Sequence, residues 1–236
     1  MSIQGPKIYT LRALTDIWTG DAKGKPHRTI ATGLLGSIRW WFEVLVRGLG
    51  GSACDPTRDG NRCPDHRKKP IEPGHHCVVC ELFGCTGWAR KFRFEVLDEN
   101  EQVKAAQIKE GETFNLRFTP LRSIRPEDWA LLDLTLRLIA KYGALGGKTK
   151  IRKRNDGIGR RPGKGLGQVR VESSPNDLAS STWREISSHL HHSRWRQPNH
   201  KGFEWAAANK LEALPKEHRS PKTLLAHLRS NAGGGG

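Results

Sequence analysis

Nowhere in its 236 residues does the sequence hold the roughly 18 uninterrupted apolar residues that a membrane helix needs. The first residues, Met1 to Lys7, lack the apolar stretch of a signal peptide. No segment repeats at a solenoid period. The expectation is a soluble cytoplasmic protein with no membrane partner. Acidic residues are also scarce: 24 Asp and Glu stand against 40 Lys and Arg, leaving a net charge of +16. Such an excess points to a polyanionic partner. The excess is clustered. Between Gly143 and Arg170 nine cations face one acid, Asp156, so this segment alone carries +8, half of the net charge.

Periodicity places the regular elements. Residues 7–17 read as a strand, bounded by Pro6 and Gly20. From Gly33 to Leu49 the period becomes helical, with Leu34, Ile38, Trp41, Leu45 and Leu49 on one face and Leu35, Phe42 and Val46 widening it. Thr32 is the expected N-cap and Gly48 to Gly51 the stop. Phe92, Phe94 and Val96 alternate with polar residues, as do Phe114, Leu116 and Phe118, giving two further strands. A second helix runs from Pro126 to Tyr142, with Trp129, Leu132, Leu136 and Ile139 as its core stripe and Gly143 as its stop. Val169 and Val171 mark a short last strand.

The order is β-α-β-β-α-β, which predicts an α+β, ferredoxin-like or RRM-like domain with both helices on one sheet face. The domain would span residues 1–173, and residues 174–236 would form a helical extension with a flexible end. Helices are expected at 183–200 and 203–213. Trp40, Trp183 and Trp195 fall off the core stripes and are expected at an interface.

Every cysteine lies in an insertion, residues 51–87, that has no periodicity of its own. The spacing Cys54-x8-Cys63-x13-Cys77-x2-Cys80 reads as a structural Zn2+ site, because a Cys-x2-Cys knuckle offers two soft ligands from one turn. The metal would supply the folding energy that this polar loop lacks. His66, His75 and His76 are near enough in sequence to replace Cys54 or Cys63, whereas Cys85 reads as a packed residue.

The basic segment, residues 143–167, interleaves its cations with glycines. Glycine lets backbone N–H groups approach phosphates, and cations add sequence-independent attraction. Gly147-Lys148-Thr149 is not a Walker loop, since it follows a helix and lacks the glycine five residues ahead.

These blocks resemble the RAMP superfamily of CRISPR-associated RNA-binding proteins, whose mark is a glycine-rich loop just before a final strand. Here that loop runs from Gly143-Ala-Leu-Gly146-Gly147-Lys148-Thr149 to Gly165-Leu-Gly167, before Val169. Within that superfamily the chain resembles the first, crRNA-associated subunit of the type III-B Cmr effector complex. The resemblance is carried by Thr15 to Gly20, by Thr32-Gly33 through Arg39-Trp40-Trp41-Phe42, and by Cys77-x2-Cys80-Glu-Leu-Phe-Gly84-x-Thr86-Gly87-Trp88. The chain departs from that subunit in two ways: a helical tail stands where a second RAMP unit is usual, and the loop is lengthened by Ile151–Gly163.

The resemblance implies a non-catalytic subunit of a type III CRISPR ribonucleoprotein, with crRNA, target RNA and other RAMP subunits as partners. The expected phosphate ligands are Arg39, Arg47, Lys148, Lys150, Arg152, Lys153, Arg154, Arg160, Arg161 and Lys164. The competing reading is an endoribonuclease. Target-cleaving RAMP subunits carry an Asp after the first strand, where this chain has Asp16 and Asp21, and processing enzymes carry a His, here His27. A third reading, a stand-alone RNA-binding or zinc-finger regulator, is disfavoured because the strands lack the aromatic signature with which RRMs stack bases.

Overall fold

A computed structural model describes residues 5–20, 24–25, 27–55, 60–149, 165–176 and 181–198. Its elements, in chain order, are β1 (Lys7–Ala13), α1 (Ala31–Gly48), α2 (Val78–Phe83), β2 (Phe92–Leu97), β3 (Thr113–Pro120), α3 (Pro126–Tyr142), β4 (Val169–Ser173) and α4 (Trp183–Leu190). The four strands form one antiparallel sheet in the order β2-β3-β1-β4. That is the split arrangement expected of a ferredoxin-like unit. The α2 turn is an addition inside the cysteine-bearing insertion.

Strict alternation decides which sheet face is buried. Tyr9 and Leu11 of β1 stand beside Leu116 and Phe114 of β3, and Phe94 and Val96 of β2 beside Phe118 and Leu116. All of these are buried. Phe118 is the hub, with Tyr9, Phe92 and Phe94 rings at 5.9, 5.2 and 5.1 Å, mostly edge-on as ring quadrupoles prefer. Helices α1 and α3 close this face with the stripes that the 3.6-residue period marked out, and every stripe residue is buried.

Local chemistry moves several boundaries. The first strand ends at Ala13, because residues 14–17 turn to hydrogen-bond elsewhere: Leu14 N–H donates to Gln168 O (2.8 Å) and Ile17 N–H to Ile108 O (2.9 Å). Thr32 does not cap α1, since Ala31 is already helical and Ile30 occupies the N-cap. The Thr19 hydroxyl does the bracing there, accepting from Ile30 N–H (3.0 Å) and donating to Arg28 O (2.9 Å). The helix expected over 183–200 stops at Leu190, and the segment expected over 203–213 lies outside the described residues. A full capping box starts α4: Glu185 N–H donates to Thr182 Oγ1 (3.3 Å) and Thr182 N–H to Glu185 Oε2 (2.6 Å).

Residues 181–198 share the main core rather than standing apart from it. Ile186, Leu190 and Trp195 are buried there. This corrects the expectation for Trp195: its indole is covered by His76, His189 and His192. Its N–H donates to His189 O (2.5 Å), so the one polar atom of the ring is satisfied. Trp40 and Trp183 are partly buried against the same core.

Among the contacts that join the tail to the core is a buried acid–histidine pair, His189 Nε2 to Asp128 Oδ1 at 2.8 Å. The other Asp128 oxygen is buried without a hydrogen-bond partner, so this carboxylate depends on His189. Removing His189 strands a buried acid. His189→Ala is expected to cost about 3 kcal/mol in urea unfolding, whereas a loss within about 0.5 kcal/mol, the range of ordinary surface changes, would show that the contact carries no weight.

Candidate metal centre and basic segment

Cys77 is the N-cap of α2 and Cys80 lies in its first turn, which sets both sulfurs on one side of the knuckle. Cys54 and Cys63 arrive from the polar loop opposite. The four Sγ atoms lie within 4.8 Å of one another, all buried, with Cys54 and Cys80 at 3.5 Å. A tetrahedral ion with metal–sulfur bonds of about 2.3 Å would hold its sulfurs about 3.8 Å apart, so this group fits a metal.

The surroundings suit thiolates more than thiols. Each sulfur meets an N–H donor: Cys80 from Arg39 Nη2 (3.2 Å), Cys54 from the same nitrogen (4.0 Å), Cys63 from Cys77 N–H (3.3 Å) and Arg196 Nη1 (3.7 Å), and Cys77 from Cys54 N–H (3.5 Å). Sulfur accepts strongly only when ionised, so such a shell complements a metal-bound tetrathiolate. Hydrogen bonds from Cys63, Cys77 and Cys80 hold the Cys54 thiol below the ordinary range. Hydrogen bonding from Cys54 and Cys63 pushes Cys80 the other way, and burial raises Cys77. Without a cation the four cannot all ionise together.

His75 and His76 point into a different network. Their Nδ1 atoms meet at 2.9 Å, and His76 Nε2 meets Glu81 Oε2 at 2.8 Å. Lys91 Nζ closes the chain on Glu81 Oε1 at 2.6 Å. Burial would raise the Glu81 carboxyl, but its bonds to His76 and Lys91 hold it down at about 2. This buried relay lies behind α2, and sequence spacing gave no sign of it beyond adjacency to the knuckle. His66 is exposed, and Cys85 stands outside the sulfur group, its N–H donating to Trp88 O (2.9 Å).

Two of the anticipated phosphate ligands are turned inward. Arg39 donates to Glu43 (3.0 Å), to Gly84 O (3.0 Å) and to the sulfurs, so its guanidinium braces the cysteine group. Burial opposes its charge, but the fields of Cys80 and Glu43 outweigh that and raise its pKa above the ordinary value. Burial pushes Glu43 up to about 7, with Arg39 pulling the other way. Arg47 donates to Ala53 O (3.2 Å) and Cys54 O (3.0 Å), fixing the approach to the first sulfur. Lys148 is exposed. Lys150, Arg152, Lys153, Arg154, Arg160, Arg161 and Lys164 lie outside the described residues, as does Asp21. His27 is exposed. Asp16 accepts from Glu110 N–H (2.9 Å) and Lys109 Nζ (3.3 Å).

The described glycines of the basic segment serve a backbone crossing. Gly147 N–H donates to Trp18 O (2.9 Å), Gly167 N–H to Asp16 O (2.9 Å), and Gly146 N–H to Ser37 Oγ (3.1 Å). Gly146 has φ +130°, and a Cβ there would lie 2.6 Å from Trp18 O. Only glycine fits. These N–H groups are therefore committed within the protein, which corrects the expectation that they cradle phosphate. What the crossing does is fix both ends of the cationic stretch, at Lys148 and at Gly165, beside β4.

No helix among the described residues is long and apolar enough to cross a membrane. No curated protein matches the chain. Among solved structures it is similar to Cmr1 from Pyrococcus furiosus in its apo form, at TM-score 0.44 and 11 % identity, covering 74 % of this chain and 51 % of that one. It thus spans about half the length of Cmr1. It is also similar to a chain of the Csm3-Csm4 subcomplex of the type III-A CRISPR-Cas interference complex, at TM-score 0.34 and 15 % identity, covering 80 % of this chain and 97 % of that one. A family profile matches residues 10–170, well over half of the sequence and including β2, β3, most of β1, the cysteine group and the glycine crossing. The chain is a member of the RAMP superfamily.

Proposed function

We propose that the chain is a non-catalytic RNA-binding subunit of a type III CRISPR ribonucleoprotein effector, holding crRNA or the guide–target duplex through its phosphates. The observation that carries this reading is the placement of charge. A segment with half of the net positive charge is flanked on both sides by a glycine crossing that is hydrogen-bonded to the exit of β1. Membership of the RAMP superfamily supports RNA as the polyanion. The carriers are Lys148, Lys150, Arg152, Lys153, Arg154, Arg160, Arg161 and Lys164. Arg39 and Arg47 support the metal centre instead, since their donors are engaged there.

The metal is Zn2+ in this reading, bound by Cys54, Cys63, Cys77 and Cys80. An all-sulfur tetrahedral set suits zinc and leaves no open position for a reacting water, so its role is structural. No catalytic step is assigned to the chain. Asp16 is occupied by Lys109 and Glu110, and His27 is exposed and has no hydrogen-bonded partner among the described residues.

Elemental analysis of purified protein should give about one zinc per chain. Cys80→Ser should lose that zinc and lower Tm by roughly 10 °C, since each 1 kcal/mol is worth about 2–4 °C at this size. Folded protein with no metal would contradict the assignment. Affinity for single-stranded RNA should fall with salt at a slope of about −0.7 per phosphate, or about −3 to −4 for four to six contacts. Neutralising Arg152, Lys153 and Arg154 together should flatten that slope by about two for all sequences alike. An unchanged slope would mean that the segment only solubilises the chain. Asp21→Ala and His27→Ala should leave RNA cleavage by the assembled complex nearly unchanged; a loss of several orders of magnitude for either would establish an endoribonuclease.

A further inference from the structure

The sheet register places two arginines directly against each other. Arg12 of β1 is the cross-strand partner of Arg170 of β4, so their side chains leave the same, helix-free face of the sheet. Opposed residues in an antiparallel pair stand about 5 Å apart at Cβ, and like charges in that position destabilise the pair. The protein does little to relieve this. Arg12 is exposed and forms no hydrogen bond or ion pair among the described residues. Arg170 has only a long contact with Glu172 at 3.6 Å, which leaves its side chain 63 % exposed.

The charge continues around the sheet edge. On its far side β4 pairs with no strand among the described residues. A cleft of about 280 Å³ lies there between β4 and α3, with Arg170, Lys141 and Arg137 at its rim and Leu14, Ala140 and Val171 as its apolar lining. Arg137 is matched by Asp133 at 2.7 Å, whereas the Lys141 ammonium lies over the Tyr142 ring at 5.7 Å with no carboxylate on it among the described residues. The strip Arg12–Arg170–Lys141 is therefore net cationic. It sits immediately after Gly165 and Gly167, where the basic segment rejoins the fold.

We infer that this strip, the open face of β1–β4 and the cleft at the β4 edge, is a binding site for the phosphodiester backbone of single-stranded RNA. The inference rests on the RNA-binding reading above and adds a surface to it. The occupant is read through its phosphates alone. The outward positions of the sheet (Ile8 and Thr10 on β1, Asn115 and Arg117 on β3) offer no aromatic ring on which a base would stack. An anion lying across Arg12 and Arg170 turns their mutual repulsion into shared attraction, which explains why the like-charged pair is tolerated.

The test uses the full chain and a fluorescent oligouridine RNA, with anisotropy titrations at several salt concentrations. Arg12→Gln with Arg170→Gln should weaken binding about tenfold and flatten the salt slope by about 1.4, two contacts at about 0.7 each. The same double variant should keep or raise the Tm of the free protein, because the repulsion is gone. Lys141→Gln should flatten the slope by about a further 0.7. If wild type binds and the Arg152, Lys153, Arg154 variant loses affinity while the strip variants match wild type, the strip is no site and the broader reading stands. Self-association of Arg170→Gln without loss of RNA affinity would likewise overturn the inference, leaving Arg170 as a charge that blunts an edge strand. If wild-type protein binds no oligouridine at all, the broader reading falls and takes the strip with it.

Discussion

Where Gly146 passes Trp18 and Gly167 passes Leu145, backbone meets backbone with no room for a side chain. Most of the molecule's functional geometry depends on that crossing. It ties the end of α3 to the exit of β1 and to the entry of β4, three elements far apart in sequence. Gly147 N–H donates to Trp18 O, and Leu145 N–H to Gly167 O at 2.6 Å, so each strand of the crossing satisfies the other's polar groups. A cationic stretch launched from a loose linker would spend its binding energy on ordering itself. Launched from this crossing, both of its ends are already placed.

Helix α1 joins the crossing to the sulfur group. Its Trp41 donates from Nε1 to Ala144 O at 3.0 Å, two residues beyond α3. Two residues earlier in α1, Arg39 reaches Cys80 Sγ and Gly84 O. Arg47, two turns further on, holds the carbonyls of Ala53 and Cys54. A single helix thus carries the aromatic that packs under the glycine segment and the cations that orient the cysteines. The tail is tied to the same group: Arg196 donates to Gly60 O (2.9 Å) and Arg62 O (2.7 Å) beside Cys63. Opening of the cysteine group would loosen α1 and the tail together, because both are anchored on the loop between Cys54 and Cys77.

Much of the fold was legible because apolar spacing is a direct record of burial. The stripes of α1 and α3 and the alternation of β2 and β3 each named residues that the structure buries. The four cysteines were legible for a related reason, since thiols at knuckle spacing have few other uses in a polar loop. Direction was not legible. Arg39 reads as an outward phosphate ligand, yet its guanidinium turns onto the sulfurs, and nothing in spacing tells a solvated arginine from one bound to carbonyl and sulfur. Trp195 reads as an interface residue because part of its cover, His76, comes from far away in sequence. The glycines looked like phosphate ligands because the alternative, contact with Trp18 and Leu145, appears only once the sheet has formed. The Arg12–Arg170 opposition was invisible for the same reason: strand register is a tertiary fact.

In the proposed function this fold presents its cationic segment to RNA. The most direct measurement is the nucleic acid that accompanies the chain when it is purified at low salt with its complex and sequenced. The expected outcome is RNA of uniform length derived from CRISPR repeats, protected from nuclease and released by raising the salt. Purification free of nucleic acid, or with RNA of random length and sequence no better protected than in a Cys80→Ser protein, would contradict it.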